Sequence, residues 1–120
     1  KKKKNRCFPG SETGSLGARM AWQFKSQVLD RATHAVDLHT GAVHRANLPQ
    51  IRADLSNEGT AAMANAFGVP VVINSVLGEG TLREVAEAQG IPVITYEAGE
   101  ALRFDESCIR AGVKGVLNIL

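Results

Sequence analysis

Two titratable side chains of this chain fall where open parallel sheets bind their ligands, at the carboxyl end of a strand. His39 follows the short run Ala35-Val36-Asp37-Leu38, and Glu97 follows the apolar run from Ile91 to Tyr96. The two-residue period of a strand puts Asp37 on the same face as His39, so its carboxylate can stand behind the imidazole. A neutral imidazole and a carboxylate converging on one rim suit metal-assisted hydrolysis, with His39 as ligand and Glu97 as general base. The plainer reading is two polar residues that end their strands in solvent, and position alone favours it.

Other candidates carry less. His34 and His44 each lie five residues from His39, a spacing that shares no helical face with it. Gly78-Glu79-Gly80 follows a strand and opens a helix as a dinucleotide fingerprint would, but Arg83 stands where the third glycine belongs, so it reads as a tight turn. Gly10-Ser11-Glu12-Thr13-Gly14-Ser15 lacks the Lys-Ser/Thr ending of a phosphate loop, and the chain has no Gly-x-Ser-x-Gly elbow. Asn5-Arg6 offers a planar guanidinium that could clamp a carboxylate.

Positioning these residues requires alternating helices and strands. Ser15 caps a helix predicted over residues 15–31, with Leu16, Met20, Phe24 and Val28 forming an apolar stripe. Residues 41–55 show no clear period and contain Pro49, so a long loop is expected there. Ser56 is expected to cap a helix running to Phe67, and Val69–Asn74 reads as a buried strand. Thr81 and Glu84 match a capping box, Ile91–Tyr96 forms the next strand, and Asp105 caps a last helix. The order α-β-loop-α-β-α-β-α implies an α/β three-layer sandwich with a mainly parallel sheet. Three parallel strands make a narrow sheet, so the chain reads as the middle of something larger.

Composition closes off several functions. The chain has 120 residues, 44% hydrophobic and 22% charged, in the ordinary globular range. No apolar run reaches membrane-spanning length, so no membrane partner is expected. The net charge is +2, but Lys1–Lys4 supply four of the 14 basic residues. Setting them aside leaves ten against 12 acidic residues, a balance of −2 that argues against nucleic acid. Lys1–Lys4 are read as a basic terminus, a tag remnant or a scar. Cys7 and Cys108 form no Cys-x-x-Cys pattern, which fits a reducing compartment, the cytoplasm. An unsatisfied sheet edge and an apolar helix face lead us to expect a homo-oligomer.

Three segments together resemble one family. Asn5-Arg6-Cys7-Phe8-Pro9-Gly10, Asp37-Leu38-His39-Thr40-Gly41 and Thr95-Tyr96-Glu97-Ala98-Gly99 stand in the order and rough spacing of the succinylglutamate desuccinylase/aspartoacylase family, a branch of the zinc carboxypeptidase-like hydrolases. Ala101–Asp105 and Ile109–Gly112 also look like its bacterial members, so the likeness covers residues 5–120. It implies that His39 is a zinc ligand, Glu97 the catalytic acid/base, and Asn5 and Arg6 the grip on the substrate carboxylate. It further implies Zn²⁺ as cofactor and, as substrate, a small N-acyl amino acid or N-acyl amine, cleaved at its amide bond. Succinyl, acetyl and N-acetyl-diamino substrates all stay open.

One departure matters. The family's His-x-x-Glu zinc pair, expected upstream of Asn5-Arg6, is absent from these 120 residues. Catalytic zinc takes three protein ligands and keeps one open position, so His39 alone cannot hold it. Residues 5–120 therefore read as a partial hydrolase domain that lacks the upstream ligands and a C-terminal β region. Two other functions compete: a non-catalytic α/β remnant acting as a binding or structural module, and a small nucleotide-binding domain using Gly78-Glu79-Gly80.

Overall fold

A computed structural model describes residues 6–120. Internal contacts divide the chain into two compact units. One is built from residues up to Ala35 together with Leu77–Pro92, the other from Val36–Val76 and Val93–Leu120.

The first unit holds α1 (Leu16–Gln27), a 3-10 turn (Leu29–Arg31) and α3 (Leu82–Ala88). The Ser15 hydroxyl accepts the Ala18 N–H at 3.3 Å, as the sequence predicts for a cap. The expected helix to residue 31 breaks at Val28, where the chain tightens into the 3-10 turn. Lys25 bridges Asp30 at 2.8 Å, and Gln89 donates to the same carboxylate at 3.0 Å, tying the turn to the end of α3. The apolar stripe of α1 is not buried: Leu16, Met20, Phe24 and Val28 are between 43% and 72% exposed, while Ala21 and Leu29 are buried. At α3 the Thr81 hydroxyl accepts the Glu84 N–H at 3.3 Å. Glu84 reaches back one residue further than a standard capping box, to the Gly80 N–H at 2.6 Å.

Apart from Ala35, the second unit carries the sheet: β1 (Ala35–Gly41), β2 (Asn47–Ala53), β3 (Val71–Asn74) and β4 (Val93–Glu100), with α2 (Glu58–Phe67) and α4 (Glu106–Ile119). The strand order is β1-β4-β2-β3. β1 and β4 run the same way, since the Ala35 N–H reaches the Pro92 carbonyl and the Ala101 N–H reaches Gly41. β2 pairs parallel with β3 and antiparallel with β4. The fold is therefore α/β with an open, mixed four-stranded sheet.

The fourth strand corrects the sequence reading. The expected loop over 41–55 contains β2, an inner strand in which Ile51 and Ala53 are fully buried. Pro49 is tolerated because the pairing with β4 shifts between Asn47 and Gln50, where a missing N–H disturbs no regular ladder. His39 and Glu97 are also placed differently from expectation. Both lie inside their strands, one position or more before the end.

α2 and α4 pack on each other and on one face of the sheet. Ile51, Ala53, Met63, Ala64, Phe67, Ile94, Tyr96 and Ala98 form the core between them. Asn57 rather than Ser56 caps α2, accepting the Thr60 N–H at 3.0 Å, while Ser56 bonds Asp54. Asp105 caps α4 as expected, its carboxylate taking the Ser107 and Cys108 N–H groups. Gly115 of α4 lies against the fully buried Phe67 ring, where an added Cβ would overlap the ring edge. Phe67 cannot swing aside, because it stacks on Tyr96 at 4.9 Å between centroids. Gly115→Ala is therefore expected to destabilise the protein by about 1–2 kcal/mol, an overpacking cost of about 1–3 kcal/mol offset in part by better helix propensity. Urea unfolding would measure it, and a stabilised variant would contradict the packing.

Candidate functional site

The alternation of β1 and β4 decides which side chains share a face. Ile94, Tyr96 and Ala98 point into the core under α2 and α4, so Thr95 and Glu97 point to the opposite face of β4. Val36 packs against that core, which sends Asp37 and His39 to the same side as Glu97. Because β1 and β4 are neighbours, all three functional groups project from one face of adjacent strands.

Each is held. His39 Nε2 lies 2.8 Å from Asp37 Oδ2, both side chains being partly exposed. A carboxylate accepts and does not donate, so Nε2 carries a proton in this contact and, in the neutral ring, Nδ1 is the nitrogen left to bind a metal. Carboxylate-backed imidazoles of this kind are how proteins orient metal-ligating histidines. The Glu97 carboxylate is 18% exposed; its Oε2 accepts the Asn47 amide at 2.9 Å, with Arg52 Nε at 3.6 Å. Asn47 and Arg52 lie in the segment 41–55 that the sequence predicts to be a loop, so they do not stand out there as neighbours of Glu97. The signal was present in Gln50-Ile51-Arg52-Ala53, which alternates polar and apolar over the length of a short strand.

Arg6 belongs to the first unit. Its Nη1 donates to the Glu79 carbonyl at 3.4 Å, and a Cβ at Gly78 would collide with the guanidinium. The Gly78-Glu79-Gly80 segment is the tight turn expected, closed by the Thr81 N–H on the Gly78 carbonyl at 3.2 Å, and it serves as a seat for Arg6. Asn5 lies outside the described residues. The remaining histidines do other work: His34 is exposed and contacts Thr33 at 3.1 Å, and the His44 backbone N–H donates to Glu100 at 2.7 Å.

A cavity of about 290 Å³ opens beside β1 and β4, lined by residues that include Leu38, His39, Tyr96, Ala98, Cys108 and Val113. Burial pushes the Cys108 thiol up, with Asp105 adding to it, so this sulfur is no ready nucleophile. The Tyr96 hydroxyl is likewise raised by burial and donates to the Cys108 carbonyl at 2.8 Å. Neither group offers hydrolytic chemistry of its own.

Among the described residues no group of three His, Cys, Asp or Glu side chains could hold a metal ion. The Asp37–His39 pair suits one zinc ligand in kind, but the described residues do not complete a set. Among them, also, no helix is long and apolar enough to cross a membrane.

The family model described as the succinylglutamate desuccinylase/aspartoacylase catalytic domain matches residues 2–120. Among solved structures, a succinylglutamate desuccinylase/aspartoacylase from Rhodobacter sphaeroides is 32% identical, with a TM-score of 0.83 over 98% of this chain and 36% of its own. The product-bound ectoine utilization protein EutE (DoeB) from Ruegeria pomeroyi is 25% identical, with a TM-score of 0.86 over 98% of this chain and 38% of its own. A succinylglutamate desuccinylase from Silicibacter sp. TM1040 is 26% identical, with a TM-score of 0.84 and the same two coverages. No curated protein matches the sequence. The chain thus spans well under half the length of the solved proteins it resembles.

Proposed function

Since this chain belongs to the succinylglutamate desuccinylase/aspartoacylase family, we propose that the full-length protein hydrolyses the amide bond of a small N-acyl amino acid or N-acyl amine with the help of zinc. The observation that carries the reading is the common face of Asp37, His39 and Glu97 on neighbouring strands. Zinc, when bound, supplies a Lewis acid that polarises the amide carbonyl and acidifies a water molecule. His39 is one of its ligands in this reading, backed by Asp37, and the others come from residues outside these 120.

Glu97 moves the proton. Its carboxylate accepts one from the attacking water as the new C–O bond forms, then delivers it to the amide nitrogen as the C–N bond breaks. A carboxylic acid and a free amine leave. Asn5 and Arg6 take the substrate's own carboxylate, a task for which a guanidinium fork is suited. Cys7 and Cys108 are free thiols, consistent with the reducing cytoplasm as its setting.

The rival reading, a non-catalytic remnant, draws on the incomplete ligand set among the described residues. Assaying the full-length protein against N-succinyl and N-acetyl amino acids, with the released amine as readout, separates the two. Turnover that a chelator abolishes and added zinc restores is the expected result. A zinc-loaded protein that releases no amine from any of these substrates would leave the remnant.

A further inference from the structure

The side of β2 that meets Glu97 is set by an irregularity in its pairing with β4. From Gln50 onward the register is regular, with Gln50 opposite Glu97, Ile51 opposite Tyr96 and Arg52 opposite Thr95. Asn47, however, stands opposite Gly99, so the step from 47 to 50 on β2 spans only the step from 99 to 97 on β4. β2 carries one extra residue there. In unbroken register Asn47 would face Glu100 and, by strand alternation, share the side of Ile51 and Ala53 in the core. The extra residue shifts it to the side of Gly99 and Glu97. Pro49 lies inside the shift and has no N–H to lose from the ladder.

The consequence falls on a single oxygen. Asn47 Nδ2 donates to Glu97 Oε2 at 2.9 Å, and Arg52, the diagonal neighbour across the strands, brings Nε to 3.6 Å of that same atom. Arg52 Nε is buried and makes no hydrogen bond with the described residues, so its nearest compensation is the Glu97 charge. A carboxylate oxygen that already faces an amide donor and a guanidinium is a poor place for a further proton. The proton that Glu97 carries must therefore ride on Oε1.

We infer that the irregularity around Leu48-Pro49 is a positioning device: it brings Asn47 beside Glu97, where Asn47 and Arg52 together hold Oε2 and assign proton transfer to Oε1. The inference rests on the reading of Glu97 as the acid/base of the proposed hydrolysis. Asn47 and Arg52 are positioning residues, and neither touches substrate in this scheme.

The test compares Asn47→Leu, Arg52→Met, Arg52→Lys and Glu97→Gln in the full-length protein, each with kcat and KM per folded molecule and with zinc content. Asn47→Leu and Arg52→Met should each lower kcat by about 10- to 100-fold, the usual effect of a slightly misplaced catalytic group, with KM and zinc unchanged. Arg52→Lys should recover most of the Arg52→Met loss, since the charge returns. A purely structural role would lower the folded fraction and leave kcat per folded molecule intact. Should Asn47→Leu fail to fold, the Arg52 pair still decides, because that side chain is 44% exposed and tolerates exchange. Wild-type kcat in Asn47→Leu and Arg52→Met beside an inactive Glu97→Gln overturns the positioning role and leaves the hydrolase reading standing. A fully active Glu97→Gln overturns both.

Discussion

Glu97→Gln in the full-length protein is expected to lower kcat by about 10²- to 10⁴-fold, the range that a general acid/base supplies. The substitution keeps the length and shape of the side chain, and its carbonyl oxygen can still accept the Asn47 amide that now reaches Oε2 at 2.9 Å. What it removes is the capacity to take a proton from water and return it to nitrogen. The ion pair with Arg52 also goes and leaves the buried Arg52 Nε without its nearest compensating charge, so a modest loss of stability is expected beside the loss of rate. The folded protein should therefore bind substrate and zinc as before, and the defect should sit almost wholly in kcat. Initial rates across substrate concentrations, with zinc measured on the same sample, make the check. A kcat within a few-fold of wild type would remove Glu97 from the chemistry.

The variant probes a residue whose identity was readable in the sequence but whose surroundings were not. Three of the four predicted caps hold, Ser15, Thr81 and Asp105 accepting the N–H groups that their positions before apolar runs predict, while the cap of α2 falls on Asn57, one residue after Ser56. Caps depend on only a few neighbouring residues, so a short window contains all the relevant chemistry. The runs 35–38 and 91–96 likewise marked β1 and β4, although both strands extend further and carry His39 and Glu97 within them. Pairing partners are a different matter. β2 joins β4 from more than forty residues away along the chain, and its register irregularity offsets the Pro49 signal that argues for a loop. No window around Pro49 contains that information. Asn47 and Arg52 come beside Glu97 only through this long-range register, which is why His39 and Glu97 stand out in the sequence as candidates and the neighbours of Glu97 do not. The exposed stripe of α1 makes the same point in reverse, since a helical period shows that a face is apolar and not what covers it.

His39→Ala should abolish stoichiometric zinc in the full-length protein. Catalytic zinc sites use three protein ligands, and removing one leaves a pair of donors that competes poorly with solvent and buffer. The effect can be read as metal content alone, without any assay of turnover. Asp37→Asn offers the graded companion. The Asp37 carboxylate accepts from Nε2 at 2.8 Å and so steers the lone pair to Nδ1. An amide can turn its own N–H₂ toward the ring and stabilise the opposite tautomer, so the ligand nitrogen is lost part of the time. Supports of this kind are worth about 10- to 100-fold in metal affinity, which places Asp37→Asn between wild type and His39→Ala on a zinc titration. The ranking separates a ligand from a merely polar strand residue: a solvent-facing His39 would leave zinc content untouched in both variants. His39 is only partly buried, so truncating it to Ala removes little packing, and a loss of zinc from a protein that still unfolds cooperatively would report on the metal site itself.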